Sequence, residues 1–281
     1  MTKILSGKEV TENLNAEIKK DADLLREGEI EPCLAIVRIG ENPDDISYEN
    51  GAVRRAETVG VNVQTIPMPE NAKQPELVSL IKKINADESI HGVLLLRPLP
   101  EGMDENLVRN VLVPEKDVDG ITDFSAAGVF TGEAIGFPPC TARACMRILG
   151  HYKVDLSGKR TVIIGRSQVV GKPVAMMLLE QNATVTVCHT YTKDLEAEIG
   201  RADIVIAAAG KAGAVKGEWL TEGQTVIDVG INVDDEGKLH GDVDHSTADN
   251  KVAAITPVPG GVGTVTTSIL MRHVVDAAMR G

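Results

Sequence analysis

Short apolar runs rich in β-branched residues alternate with stretches of helical periodicity along nearly the whole chain, the pattern of parallel sheets built from βαβ units. In the first half the predicted strands are 33–39, 61–66 and 92–96, each closing near Gly or Pro, with helices over 46–59, 74–86 and 105–112. Pro138 and Pro139 then interrupt the periodicity ahead of a helix over 142–149. A second series follows, with strands at 161–164, 184–188, 203–207 and 225–229, and this half reads as a nucleotide-binding domain. The last segment, 266–279, reads as an amphipathic helix with Ile269, Leu270, His273, Val274 and Ala277 on one face, able to pack back on the first domain. The expectation is an α/β protein of two domains with a cleft between them. An N-terminal α/β substrate domain spans 1–137 and is joined by the C-terminal helix at about 266–281, and a Rossmann-like domain spans 138–265.

Composition narrows the function. The 281 residues are 43% hydrophobic, enough to bury a core, which argues against disorder. No apolar run approaches the ~18–20 residues of a membrane span, and Met1–Glu9 has no apolar core followed by a small-residue cleavage site, so a soluble cytoplasmic protein is expected. Cys33, Cys140, Cys145 and Cys188 are scattered without a CxxC pair, the pattern of free thiols in a reducing compartment rather than disulfides or a metal site. A net charge of −12, from 29 Lys and Arg against 41 Asp and Glu, argues against a nucleic-acid partner. It leaves open an anionic small molecule in a locally basic pocket.

The segment 161–180 runs from an apolar strand through Gly165-Arg166-Ser167 and Gly171-Lys172-Pro173 into a helix. Gly165 permits a tight turn, and the helix N-terminus would offer its N–H groups to a pyrophosphate. The spacing is G-x-S-x-x-x-G, a weaker signal than G-x-G-x-x-G, and the strand-to-helix context strengthens it. About twenty residues on, where an NAD site carries Asp or Glu for the ribose hydroxyls, the strand ends Cys188-His189-Thr190-Tyr191. No carboxylate stands there to repel a 2′-phosphate, and Arg166, Thr190 and His189 could bind one, so NADP is favoured over NAD.

With these residues go Tyr48, Pro98-Leu99-Pro100, Lys116-Asp117-Val118-Asp119-Gly120, Pro139-Cys140-Thr141, Asp228-Val229-Gly230-Ile231-Asn232, Gly241-Asp242-Val243 and Thr256-Pro257-Val258-Pro259-Gly260-Gly261-Val262-Gly263. In these motifs, in order from about residue 40 to 270, the chain resembles the methylenetetrahydrofolate dehydrogenase/cyclohydrolase family, the FolD type. The resemblance implies oxidation of 5,10-methylenetetrahydrofolate with a nicotinamide cofactor, hydrolysis of the methenyl product to 10-formyltetrahydrofolate, and a homodimer joined through the nucleotide domains. It implies no metal. It places Asp119 on the pterin, Tyr48 facing the substrate, Pro257, Gly260 and Gly261 along the folate, and Ile231 with its backbone at the nicotinamide. Gly165, Arg166, Ser167, Gly171, His189 and Thr190 hold the cofactor. Asp117 reads instead as a loop aspartate capping a turn.

Two departures stand out. The lysine of the family's Tyr-x-x-x-Lys helix, central to hydrolysis, falls on Ala52, and the glutamine ahead of the Leu-Pro-Leu-Pro stretch falls on Leu96. An alanine can neither transfer a proton nor hold charge, so hydrolysis by that route should weaken. Arg55 lies seven residues after Tyr48, about 20° from the same helix face, and could reach back over Ala52 as a substitute cation, though not as a general base.

Overall fold

The computed structural model describes residues 1–248 and 250–281. In chain order its elements are β1 (Lys3–Ile4), α1 (Gly7–Glu27), β2 (Cys33–Ile39), α2 (Pro43–Val59), β3 (Asn62–Met68), α3 (Gln74–Asn85) and β4 (Gly92–Leu95). Then come α4 (Glu105–Arg109), α5 (Asp123–Thr131), α6 (Cys140–His151), β5 (Arg160–Ile164), α7 (Gly171–Glu180), β6 (Thr184–Cys188), α8 (Leu195–Gly200) and β7 (Ile204–Ala207). The chain ends with β8 (Thr225–Asp228), β9 (Asn232–Val233), β10 (Leu239–His240), α9 (His245–Ala248), β11 (Ala254–Ile255) and α10 (Val262–Arg280). Two compact units result, one of residues 13–140 with 267–281, the other of residues 1–12 with 141–266.

The first unit holds a parallel sheet ordered β3-β2-β4. Central β2 is apolar without alternation, and Leu34, Ala35, Ile36 and Val37 are all buried, as in a strand covered on both faces. Ala35 and Val37 share a core with Leu77, Ile81 and Ile84 of α3 and with Val93 and Leu95 of β4. Helix α2 starts cleanly because the Asn42 side chain accepts from the Asp44 N–H, with Pro43 in the first turn, and it stops at Gly60 in the left-handed conformation. In α10 the predicted face, Ile269, Leu270, His273, Val274 and Ala277, is buried, and so are Met271, Val275 and Ala278.

The second unit holds a six-stranded parallel sheet ordered β1-β11-β8-β7-β5-β6. From β5 onward the order is that of a doubly wound fold, and the direction of winding reverses between β5 and β7. Strand β1 pairs beside β11, with Lys3 opposite Ala254. The first twelve residues therefore belong to this unit, not to the N-terminal domain expected from the sequence, because a two-residue strand leaves no periodic signal. Helix α1 is likewise absent from the predicted elements, although Val10, Leu14, Ile18 and Ala22 are buried at the helical i, i+4 spacing.

All four cysteines are free, Cys140, Cys145 and Cys188 buried and Cys33 partly so. Among the described residues no helix is long and apolar enough to cross a membrane.

Buried Gln224 ties the ends of α8 and β8 together. Its Nε2 donates to the Ile199 and Ala202 carbonyls at 2.7 and 2.9 Å, and its Oε1 accepts from the Thr221 N–H at 2.8 Å. Gln224→Leu preserves most of the volume and strands these groups, so the unfolding free energy measured in urea should fall by about 1–3 kcal/mol.

Candidate active site

Gly165 follows β5 with a φ of +124°, and a Cβ there would collide with the Ala208 carbonyl beyond β7. A Cβ on Gly171, the first residue of α7, would meet the Gly165 carbonyl. Both glycines of the G-x-S-x-x-x-G spacing are thus fixed by close backbone approach. The Ser167 hydroxyl accepts from the Val170 N–H at 3.1 Å, which closes the loop so that α7 begins beside the point where the sheet reverses. Ligands of open α/β sheets lie at that point, with phosphate at the helix N-terminus. Both approaches are backbone on backbone, so the two glycines close the turn and set the start of α7, whose first N–H groups suit a pyrophosphate.

At the end of β6 the His189 N–H donates to Thr192 Oγ1, and the Tyr191 N–H donates to His189 Nδ1 at 3.2 Å. His189 Nδ1 is therefore an acceptor and Nε2 carries the hydrogen. The exposed Tyr191 ring lies 6.0 Å from the Arg166 guanidinium and 6.1 Å from the His189 ring. The structure thus brings together Arg166 and His189, and adds Tyr191, to which the sequence alone assigned no role.

Two buried aspartates shape the neighbouring loops. Asp228 accepts from the N–H groups of Gly230, Asp242 and Val243 at 2.9–3.1 Å and contacts His245 Nε2 at 3.1 Å. Asp242 accepts from the Gly210 and Lys211 N–H groups and from Asn232 Nδ2. A Cβ on Gly230 or Gly241 would run into these carboxylates. Ile231 is left exposed, its Cδ1 only 3.1 Å from where a Gly263 Cβ would sit. In the Pro257–Gly261 loop Gly260 has a φ of +98°, its carbonyl accepts from the Gly7 N–H at 2.8 Å, and Gly261 packs on the Pro257 carbonyl.

In the other unit Asp117 is fully buried, its carboxylate accepting from the Ile121 and Thr122 N–H groups at 2.9 and 2.8 Å and from Ser125 Oγ at 2.6 Å. It caps the turn, as its position in the motif suggested. Gly120, at a φ of +67°, lies against the backbone of Phe137 and Pro139, where no side chain would fit. Asp119, between them, is half-buried as a residue. Its pKa is pushed up to about 6, first by burial and also by Asp117, against the opposing pull of a Cys140 hydrogen bond and the Arg97 charge. Burial and the Asp119 charge push the Tyr48 hydroxyl up, so Tyr48 stays a donor.

Tyr48 and Ala52 lie on α2, with Ala52 fully buried and Leu96 nearly so. Arg55 is half-buried, its Nε has no hydrogen-bond partner, and burial lowers its pKa. Glu49, six residues before Arg55 on the same helix, is bound to Arg38 Nε at 3.0 Å. Arg97, which the sequence reading passed over, pairs with Glu105 at 2.9 Å and acts on Asp119. Its place just beyond a strand C-terminus was the available signal.

The sequence models of "Tetrahydrofolate dehydrogenase/cyclohydrolase, catalytic domain" and of its NAD(P)-binding domain match residues 5–119 and 139–281. The Bifunctional protein FolD of Clostridioides difficile is 47% identical over 98% of this chain and 96% of its own. The crystal structure of the bifunctional FolD enzyme from Campylobacter jejuni superposes with a TM-score of 0.97 at 38% identity, covering 100% of this chain and 99% of that one. The FolD of Trypanosoma brucei, complexed with NADP cofactor and inhibitor, gives a TM-score of 0.92 at 32% identity over 99% and 98%.

Gly165→Ala places a methyl group on the Ala208 carbonyl and strains a left-handed backbone. Calorimetric titration should show NADP binding weakened by about tenfold or more, with the circular dichroism spectrum retained; unchanged affinity would show that this turn does not hold the cofactor.

Proposed function

The chain belongs to the tetrahydrofolate dehydrogenase/cyclohydrolase family, and on that premise we propose that it oxidises 5,10-methylenetetrahydrofolate to the 5,10-methenyl cation with NADP. The observation that carries this reading is a closely surrounded carboxyl on a half-buried residue, Asp119, held by the Asp117 turn near the Tyr48 hydroxyl, in a chain that also carries the tight Gly165–Gly171 turn at the start of α7. A carboxylate accepts paired hydrogen bonds from the N–H groups of an aminopyrimidine, the head of a pterin. Tyr48 offers a ring for stacking and a hydroxyl that remains a donor.

NADP, when bound, supplies the hydride acceptor. Gly165, Ser167 and Gly171 would hold its pyrophosphate, and Arg166, His189 and Thr190 its 2′-phosphate, with the exposed Ile231 backbone at the nicotinamide. The lone pair of the folate nitrogen assists departure of the hydride, so the protein needs no general base for this step. Its work is orientation, to which Pro257, Gly260 and Gly261 contribute by close backbone approach.

The hydrolytic step rests on different residues. Buried Ala52 and Leu96 offer no group to hold charge or move a proton near the methenyl carbon, which favours a dehydrogenase whose hydrolysis is weak. Arg55, half-buried with its Nε unpartnered, supplies the residual positive electrostatics. The reading extends to a cytoplasmic homodimer joined through the nucleotide-binding units. Strand β6 supports it as a sheet edge that leaves Val187 exposed, since exposed edges invite pairing with a second chain. The four free thiols fit a reducing compartment.

Purified protein should oxidise the methylene form with NADP much faster than it hydrolyses preformed methenyltetrahydrofolate above the buffer rate. Ala52→Lys should raise hydrolysis by about 10²-fold, and Arg55→Ala should lower what remains; hydrolysis that keeps pace with oxidation in the unmodified protein would contradict this assignment. Sedimentation should give a dimer that Val187→Lys converts to monomer, and a monomer at micromolar concentration would remove the edge-pairing proposal.

A further inference from the structure

We propose that Tyr191 is a positioning residue for the 2′-phosphate end of the cofactor: its ring holds the Arg166 guanidinium beside His189, so that the two cationic or donor groups meet the phosphate together and NADP is preferred over NAD. The inference rests on the reading of Arg166, His189 and Thr190 as the residues that take that phosphate.

Arg166 and Tyr191 stand on loops that leave neighbouring strands. Strands β5 and β6 pair to their last residues, Ile164 opposite Cys188, and the Gly165 N–H then donates to the Cys188 carbonyl at 2.9 Å. The two loops therefore start side by side at the sheet end where such folds take their ligands. The second loop is closed on itself. The Thr192 N–H donates to the His189 carbonyl at 2.8 Å, the His189 N–H to Thr192 Oγ1 at 2.8 Å, and the Tyr191 N–H to His189 Nδ1 at 3.2 Å. Three amide hydrogens of the turn are thus spent inside it, and the imidazole keeps its Nε2 hydrogen as a donor for an anion.

The Tyr191 ring is 80% exposed, so its position owes little to burial. Its neighbours are the two phosphate-binding candidates. The Arg166 Cζ lies over the ring, 6.0 Å from its centroid, and the His189 ring stands at 70° to it with centroids 6.1 Å apart. A guanidinium is attracted to an aromatic face at that distance. Arg166 is itself exposed and would otherwise lose the freedom of a long side chain on binding. Held over the ring, its planar fork is ordered before the phosphate arrives, which lowers the cost of binding. The ring is uncharged, so its benefit reaches the cofactor only through Arg166. NAD carries a hydroxyl in place of that phosphate and gains nothing from the arrangement.

Calorimetric titration of the full chain with NADP and with NAD is the test. NADP should bind more tightly than NAD. Tyr191→Ser should weaken NADP binding by about three- to fivefold and leave NAD binding unchanged. Tyr191→Phe keeps the ring and should restore the NADP affinity, which loss of a merely structural hydroxyl contact would not allow. In an Arg166→Gln background, Tyr191→Ser should cost nothing further, because the ring acts through the guanidinium. An unchanged NADP affinity in Tyr191→Ser overturns the proposal. So does an equal loss for NADP and NAD, which would put the ring against a part that both cofactors share. Arg166→Gln alone separates the two layers: weaker NADP binding with NAD binding retained supports the underlying reading, and unaltered affinity for both overturns that reading together with the proposal.

Discussion

Loops between the regular elements carry backbone N–H groups that no neighbouring strand or helix turn can reach, and each one buried without a partner costs about 1–3 kcal/mol. Three buried aspartates meet this demand. Asp117 takes the amides of Ile121 and Thr122, Asp228 those of Gly230, Asp242 and Val243, and Asp242 those of Gly210 and Lys211. Two of the three fix a loop that carries a proposed ligand-facing residue, Asp119 beyond Asp117 and Ile231 beyond Asp228. The glycines alongside follow from the same constraint, because the carboxylates at Gly230 and Gly241 occupy the space a side chain would need.

The division of labour between Asp117 and Asp119 shows how a site is made from near-identical residues. Two residues apart, one is buried among amide and hydroxyl donors and belongs to the backbone, while the other, half-buried as a residue, has a raised pKa. Tyr48 and Cys140 lie beside the second and stay protonated, so neither adds a negative charge to it. Ala52 and Leu96 leave the proposed recognition arrangement whole and lack polar groups only where the proposed hydrolysis would need them.

Much of this was legible in the sequence. A strand buried on both faces announces itself as an apolar run, and the predicted 33–39 coincides with β2; the predicted 184–188 coincides with β6, an edge strand legible through its β-branched residues. The motif residues also fell where strand ends and helix starts put them. The two-residue strands β1 and β11 were not legible, since their pairing joins residues some 250 positions apart in sequence and has no local period. Nor was the His273 contact with Val118, because an imidazole on the apolar face of α10 looks like any buried core position until the carbonyl beside it is seen. Helix α1 was legible in its i, i+4 spacing and was passed over.

The central claim is that a hydride passes from the folate methylene carbon to the nicotinamide while the protein only orients the partners. The direct measurement uses 5,10-methylenetetrahydrofolate carrying deuterium at the methylene carbon, with the label followed into NADPH and into water by mass spectrometry. The account predicts deuterium in the reduced cofactor, in proportion to methenyl product, and none in the solvent. Deuterium released to water, or methenyl product formed without labelled cofactor, would contradict it.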